Sequence, residues 1–303
     1  VSQGIKAEGT TLAFGWRDYK NSLKETENEE LLDLYFYRFL GYGVVKMISW
    51  SSITPNQVTY LGMVCGLVSA SFFYTGELIA AAVMLLMANV MDCADGQLAR
   101  LKKNGTYLGG VVDGFFDYIV GATTIIAMGG YLCRMHEPLL IIPFMLAAGL
   151  SRAFQNIMVD QRRHFFTKSS KFDADAFSED EISLRLHLQQ AKEQRKGLLE
   201  KTILRCGITY ITLQRLGIRT TRVTFSDFKA FNAFPDQRAL LLRGWSFLGS
   251  TTHITLVIVT AMMDRVELYF WITLIAGNLF LITLVLVETI LVHRLGRIPV
   301  EVK

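Results

Sequence analysis

The sequence predicts an all-α integral membrane bundle of six transmembrane helices, with an N-terminal interfacial amphipathic helix and a helical cytoplasmic insert. Three observations carry this prediction. Apolar residues make up 51% of the 303 residues, and the mean hydropathy is +0.32. Apolar stretches at about 55–74, 77–98, 106–132, 138–159, 246–263 and 267–292 are long enough to cross all or much of a bilayer. Basic residues gather after every second stretch: Arg100, Lys102 and Lys103, then Arg162, Arg163 and Lys168, then His293, Arg294, Arg297 and Lys303. The other side carries Arg134 and Arg265, each near an acid. An excess of Lys and Arg marks the cytoplasmic side, so both termini are expected there.

The chain divides into four parts. In the first, 1–50, residues 1–25 are polar and read as a loose arm, and the first thirty residues contain no apolar signal core. Over 27–50, Leu31, Leu34, Phe36, Leu40 and Val44 recur at roughly helical spacing among charged residues. That pattern fits an amphipathic helix lying in the membrane surface, or a soluble helix packed on the body. The second part, 51–159, holds the first four spans. Its opening turn, Thr54-Pro55-Asn56, is a helix start signal. The third part, 160–245, is read as the cytoplasmic insert. Ser178 and Glu181 have the spacing of a capping box, and Leu184, Leu186, Leu188, Leu198, Leu199 and Ile203 give a helical texture. An antiparallel helical pair beneath the membrane fits this insert, as does a substrate-access lid. The last part, 246–303, carries the final two spans and the tail.

Charge and cysteine content exclude other classes. The net charge of +4 comes from 31 basic and 27 acidic residues, and no nucleic-acid partner is expected. Cys65, Cys93, Cys133 and Cys206 form no CxxC pair, which argues against a disulfide framework or a structural zinc site.

Four acids in apolar surroundings point to the chemistry. Asp92 and Asp95 lie near the end of the second span, and Asp113 and Asp117 near the start of the third. Residues three or four apart share a helix face. The connection around Lys103-Asn104-Gly105 is short, which predicts direct antiparallel packing of the two helices and convergence of both pairs on one site. Ionisable groups inside a membrane are costly and usually functional, and clustered carboxylates repel unless cations neutralise them. Oxygen-only ligands favour Mg²⁺ or Mn²⁺, and two such ions can clamp a diphosphate. Gly96 and Ala99 lie on the side of Asp92 and Asp95, and Gly109 lies one turn before Asp113. Small residues there leave room for a ligand close to the backbone, or serve tight helix packing. Gly110 and Gly114 form a second small stripe, assigned to packing or a dimer contact. Arg100 can pair with an aspartate, hold a phosphate through its planar fork, or act as a positive anchor.

Taken together, Asp92-Cys93-Ala94-Asp95-Gly96-Gln97-Leu98-Ala99-Arg100, then Gly109, Asp113 and Asp117 at fixed spacing, resembles the CDP-alcohol phosphotransferase signature. Every fixed position matches. The resemblance implies a six-helix membrane fold, usually homodimeric, with a polar cavity facing the cytoplasm. It implies transfer of a substituted phosphate group from a CDP-linked donor, such as CDP-diacylglycerol, to a hydroxyl acceptor with release of CMP. Asp92, Asp95, Asp113 and Asp117 would bind two divalent ions, Mg²⁺ or Mn²⁺. Asp117 would also be the general base. Gly96, Ala99, Arg100 and Gly109, with Asn56 and Thr59 at the start of the first span, would line the CDP site. The resemblance is silent on the insert.

The acceptor is less legible. Arg152 stands in an otherwise apolar run beside Gln155 and Asn156, and Arg243 precedes the fifth span. Both are candidate acceptor-binding residues, because a buried Arg usually meets an anion. A structural pair with an acid, or snorkelling to the interface, also fits Arg152. Thr251, Thr252 and His253 lie in the fifth span, with His253 read as a hydrogen-bonded core residue. Two rival classes share paired acids: intramembrane prenyltransferases, which lack the Asp-Gly-x-x-Ala-Arg run, and cation transporters.

Overall fold

A computed structural model describes residues 16–23, 30–103, 107–167, 176–195, 197–218 and 234–295, and all regular structure in them is helical. The start of the polar arm, Asn104 and Gly105, Lys168, and the basic tail residues Arg297 and Lys303 lie outside the described residues. The order is α1 (Trp16–Ser22), a π-helical stretch (Asp33–Tyr37) running into α2 (Arg38–Ile48), α3 (Pro55–Thr75), α4 (Leu78–Lys102), α5 (Tyr107–Met135) and α6 (Pro138–Thr167). Then come α7 (Ala176–Glu193), α8 (Leu198–Ile218), α9 (Pro235–Ser246), α10 (Ser250–Met262), α11 (Val266–Trp271), a second π-helical stretch (Ile272–Gly277) and α12 (Asn278–Leu295).

Among the described residues, six segments are long and apolar enough to cross a membrane: Pro55–Thr75, Leu78–Lys102, Gly109–Met135, Pro138–Arg163, Pro235–Met262 and Val266–Arg294. The chain is a multi-pass membrane protein. The fifth segment contains a turn at Phe247–Gly249 between α9 and α10. α9 carries Asp236, Arg238 and Arg243, which place it in the insert on sequence grounds. In the structure its Leu241, Leu242 and Trp245 are buried in a cluster with Met158, Leu281 and Leu284.

Local sequence explains how α3 forms. Thr54 accepts the Gln57 N–H at 3.4 Å, and the Gln57 side chain accepts the Thr54 N–H at 2.9 Å, with Pro55 in the first turn. This satisfies donors that a helix start leaves open. The helix ends at Gly76, whose φ of 94° needs a residue without Cβ. Between these caps, small residues seat α3 against two neighbours. A Cβ on Gly62 would lie 3.2 Å from the Met91 Cβ on α4, and one on Gly66 only 2.5 Å from Val120 on α5.

The helix over 33–48 combines both sequence readings on opposite faces. Tyr37, Gly41 and Val45 are buried, and a Cβ on Gly41 would lie 3.1 Å from the Ala94 backbone nitrogen, so α2 packs on the motif stretch of α4. Tyr35, Phe36, Phe39, Met47 and Trp50 are exposed, an apolar face suited to a membrane surface.

Two charge contacts tie helices of the bundle together. Arg162 donates to both Glu288 oxygens at 3.0 and 3.1 Å, and the Trp245 indole N–H donates to the same carboxylate at 2.9 Å. Glu30 lies 3.1 Å from Arg163 and accepts the Thr252 N–H, in the first turn of α10, at 3.1 Å. Burial pushes the Glu30 carboxyl up to about 7, against the pull of Arg163. Arg162 and Arg163, which the sequence offers as flanking charges, therefore serve internal contacts.

α7 and α8 pack on each other through Leu184, Ala191 and Leu204, and against Val111 of α5. Tyr210 on α8 donates its hydroxyl to Asp160 on α6. The helix α7 starts at Ala176, so Ser178 lies inside its first turn rather than at the cap. Glu181 instead forms an i,i+4 ion pair with Arg185 at 2.6 Å. No disulfide joins Cys65, Cys93, Cys133 and Cys206.

Candidate active site

The motif acids come together as the sequence predicts, and α3 packs on both helices that carry them. Asp92 and Asp95 project from α4, and Asp113 and Asp117 from α5. One carboxylate oxygen from each of Asp92, Asp95 and Asp113 lies within 4.8 Å of the others. In that packing Gly62 of α3 faces α4 and Gly66 faces α5, and a cavity occupies the space beside the acids.

The cavity is open to one side and is lined by Asp92, Asp95, Asp113 and Asp117 together. Asp117 stands outside the close trio and is exposed to the cavity. Thr59 also lines it and donates its hydroxyl to Asp95, which fixes one carboxylate from α3.

The remaining predicted residues fall into three groups. Arg152 lines the cavity at 7% exposure and forms no ion pair among the described residues. A Cβ on Gly121 would lie 3.3 Å from its guanidinium, so the glycine gives Arg152 its place against α5. Asn56, Gly96, Ala99, Arg100 and Gly109 stand near the acids in sequence but outside the cavity lining. The Arg100 guanidinium lies over Gly96, 3.5 Å from where a Cβ would sit, and its Nε donates to the Ser22 carbonyl at the end of α1. Arg243 is exposed on α9 and does not line the cavity. His253 is buried, with Nε2 3.0 Å from the Gln155 side-chain oxygen, as a core histidine would be. A Cβ on Gly110 or Gly114 would meet nothing within 4 Å, so no described part of this chain packs on that stripe.

Sequence reasoning missed several participants. Gln97 donates to the Ser22 hydroxyl and the Arg38 carbonyl, both at 3.1 Å, so the N-terminal segments are tied to the motif helix. Asp33 sits 3.8 Å from the Cys93 sulfur and adds a fifth acid within electrostatic reach of Asp92. Asn89 and Thr124 also line the cavity. Helical spacing carried a signal for these two, since Asn89 is one turn before Asp92 and Thr124 two turns after Asp117. No local signal marks Asp33, which reaches the site only through the packing of α2 on α4.

Fold and site together define a multi-pass helical membrane protein built around a carboxylate-lined intramembrane cavity. Residues 52–178 match the CDP-alcohol phosphatidyltransferase family model. The chain is 33% identical over 87 residues to an archaetidylinositol phosphate synthase of Pyrococcus horikoshii, covering 28% of this chain and 46% of the relative. It is 31% identical over 96 residues to a phosphatidylinositol phosphate synthase of Corynebacterium glutamicum, covering 31% and 43%. A bifunctional IPC transferase and DIPP synthase of Thermococcus kodakarensis is 30% identical over 95 residues, covering 31% and 21%. The matches thus span less than half the length of each of these curated relatives.

Proposed function

We propose that this chain is a membrane CDP-alcohol phosphotransferase of phospholipid biosynthesis. It moves a substituted phosphate group from a CDP-linked donor, such as CDP-diacylglycerol, to a hydroxyl acceptor and releases CMP. One observation carries the reading: all four motif carboxylates open on a single cavity, three of them within 4.8 Å of one another. An all-oxygen set this close fits hard divalent cations and is repulsive without them. Asp92, Asp95, Asp113 and Asp117 would hold two Mg²⁺ or Mn²⁺ ions, which when bound neutralise the donor diphosphate and ease departure of CMP.

The chain's own residues supply the rest. Asp117, exposed to the cavity, takes the proton of the acceptor hydroxyl. The freed oxygen forms a bond to the phosphorus that carries the donor alcohol, and the bond from that phosphorus to the CMP oxygen breaks. Thr59 orients Asp95 through its hydroxyl. Gly96, Ala99, Arg100 and Gly109, with Asn56, would meet the CDP part of the donor beyond the cavity lining, where the Ser22 carbonyl holds the Arg100 Nε and the guanidinium lies over Gly96. The buried, cavity-facing Arg152 supports an anionic acceptor. The relatives named for inositol phosphate lipids point to inositol phosphate. Arg243, away from the cavity, has no support as an acceptor residue. The basic residues at Arg100, Lys102 and Lys103 support a cytoplasmic mouth. The bare Gly110–Gly114 stripe offers a contact for a homodimer.

The test is CMP release by purified protein from CDP-diacylglycerol and soluble CDP-alcohols, with a panel of acceptors and with Mg²⁺ or Mn²⁺. Metal-dependent CMP release that chelator abolishes is expected. Diphosphate release from a prenyl diphosphate, or ion flux in liposomes without nucleotide dependence, would overturn the reading.

A further inference from the structure

The cavity runs deeper than a diphosphate on the carboxylates requires. Asn89 lies three residues before Asp92, and Thr124 seven residues beyond Asp117. At 1.5 Å per residue these are offsets of roughly 4.5 and 10 Å toward the bilayer centre. Both residues line the cavity, at 6% and 2% exposure. Neither Asn89 Nδ2 nor Thr124 Oγ1 has a hydrogen-bond partner among the described residues. Thr123 and Thr260 donate to their own helices, to the Ile119 carbonyl at 2.8 Å and the Leu256 carbonyl at 2.9 Å, and Ser69 on α3 donates to the Ala81 carbonyl on α4 at 2.7 Å; Tyr269 and Thr273, which do not line the cavity, also have unpartnered hydroxyls among the described residues. A helical threonine usually back-bonds to its own helix in this way. Thr124 does not, and its hydroxyl remains available beside the cavity. Buried polar groups are left unpaired at a cost, and such exceptions call for an explanation.

The third polar group at this depth is Arg152, held against α5 by Gly121. The inner end of the cavity is therefore cationic and rich in hydrogen-bonding groups, while the four acids lie together toward its mouth. This distribution repels an ammonium group at the inner end and suits an oxygen-rich anion. Resting on the transferase reading above, we propose that Asn89 and Thr124 are acceptor-binding residues. With Arg152 they form a polar floor that selects a polyol phosphate over an unphosphorylated polyol or an amino alcohol.

The test follows CMP release from CDP-diacylglycerol by wild type, Asn89→Ala, Thr124→Val and Thr124→Ser. Inositol 1-phosphate, glycerol 3-phosphate, free inositol and ethanolamine serve as acceptor probes. The phosphorylated probes are expected to show kcat/KM at least about tenfold above the other two, and Asn89→Ala and Thr124→Val to raise acceptor KM roughly tenfold. Donor KM stays within about twofold, and Thr124→Ser, which keeps the hydroxyl, restores the wild-type acceptor KM. Thr124→Val preserves side-chain volume, so it removes the hydrogen bond with little change in packing. Donor KM rising in parallel would assign the pair to packing or to the donor and overturn the inference. So would a wild-type preference for ethanolamine. Unchanged acceptor KM in active variants overturns this inference alone. Absence of CMP release by wild type from any CDP-alcohol overturns it together with the transferase reading.

Discussion

At the residue scale, the site depends on a few side chains with separable duties. Asp117 lines the cavity outside the close trio of acids, which suits proton transfer. In the proposed reaction Asp117 is the base, and Asp117→Asn keeps the shape but removes it. CMP release is expected to fall by about 10²–10⁴-fold with donor binding retained, measured by single-turnover kinetics. Thr59 donates to Asp95 across the α3–α4 contact. Hydrogen bonds to charged groups are worth about 1.5–3 kcal/mol, so Thr59→Val is expected to lower kcat/KM by roughly tenfold or more. An unchanged kcat/KM would remove Thr59 from the machinery. These positions were legible to different degrees. The acids announce themselves because charge in an apolar helix is costly. Thr59 and Arg152 were legible as candidates. The Arg100–Ser22 and Gln97–Ser22 contacts join residues 75 or more apart, and no local pattern encodes them.

At the element scale, glycines decide which helices touch. Gly66 has no room for a larger side chain, because a Cβ would lie 2.5 Å from Val120 on the helix that carries Asp113 and Asp117. Gly66→Leu is expected to lower stability by about 1–3 kcal/mol or more through overpacking, read as a lower Tm in detergent. Residual folded protein should have reduced activity, since displacement of α5 carries two of the acids with it. Gly110 is the contrast, with nothing within 4 Å of an added Cβ. Gly110→Ala should leave Tm unchanged or raise it slightly, by up to about 1 kcal/mol of helix propensity. A large loss there would show that a second copy covers the stripe. The sequence marks all these glycines alike as small residues. Only the packing separates those that admit a neighbour from those that face open space.

At the scale of the whole molecule, two buried ionic contacts tie distant segments together. Arg162, Glu288 and Trp245 join α6, α12 and α9. Arg162→Met leaves Glu288 buried and unpaired, an expected loss of about 3–5 kcal/mol. Arg162→Met combined with Glu288→Met should recover most of it, and an additive double mutant would deny the coupling. Glu30 ties the N-terminal segment to α6 and the start of α10. Its folded value of about 7 exceeds the ordinary 4.5, so the unfolded chain loses this proton first as pH rises. The contribution of Glu30 to stability is thus fully present below about 4.5 and is lost as pH rises through about 7. Glu30→Gln should flatten the pH dependence of Tm across that window. An identical profile in the variant would show that other groups set it.

The chain composition and its spacing determined an all-helical membrane protein and the chemistry of four acids in two adjacent spans. Hydropathy follows from residue type alone, and helical period places i, i+3 and i+4 on one face without reference to the rest of the fold. The tertiary structure decided that α3 packs on both α4 and α5 through Gly62 and Gly66. It also decided that Arg152 faces the cavity while Arg243 does not, and that Asn89 and Thr124 extend the cavity inward. These outcomes depend on which helix faces meet, a balance of close packing, charge repulsion and buried polar groups between residues far apart in the chain.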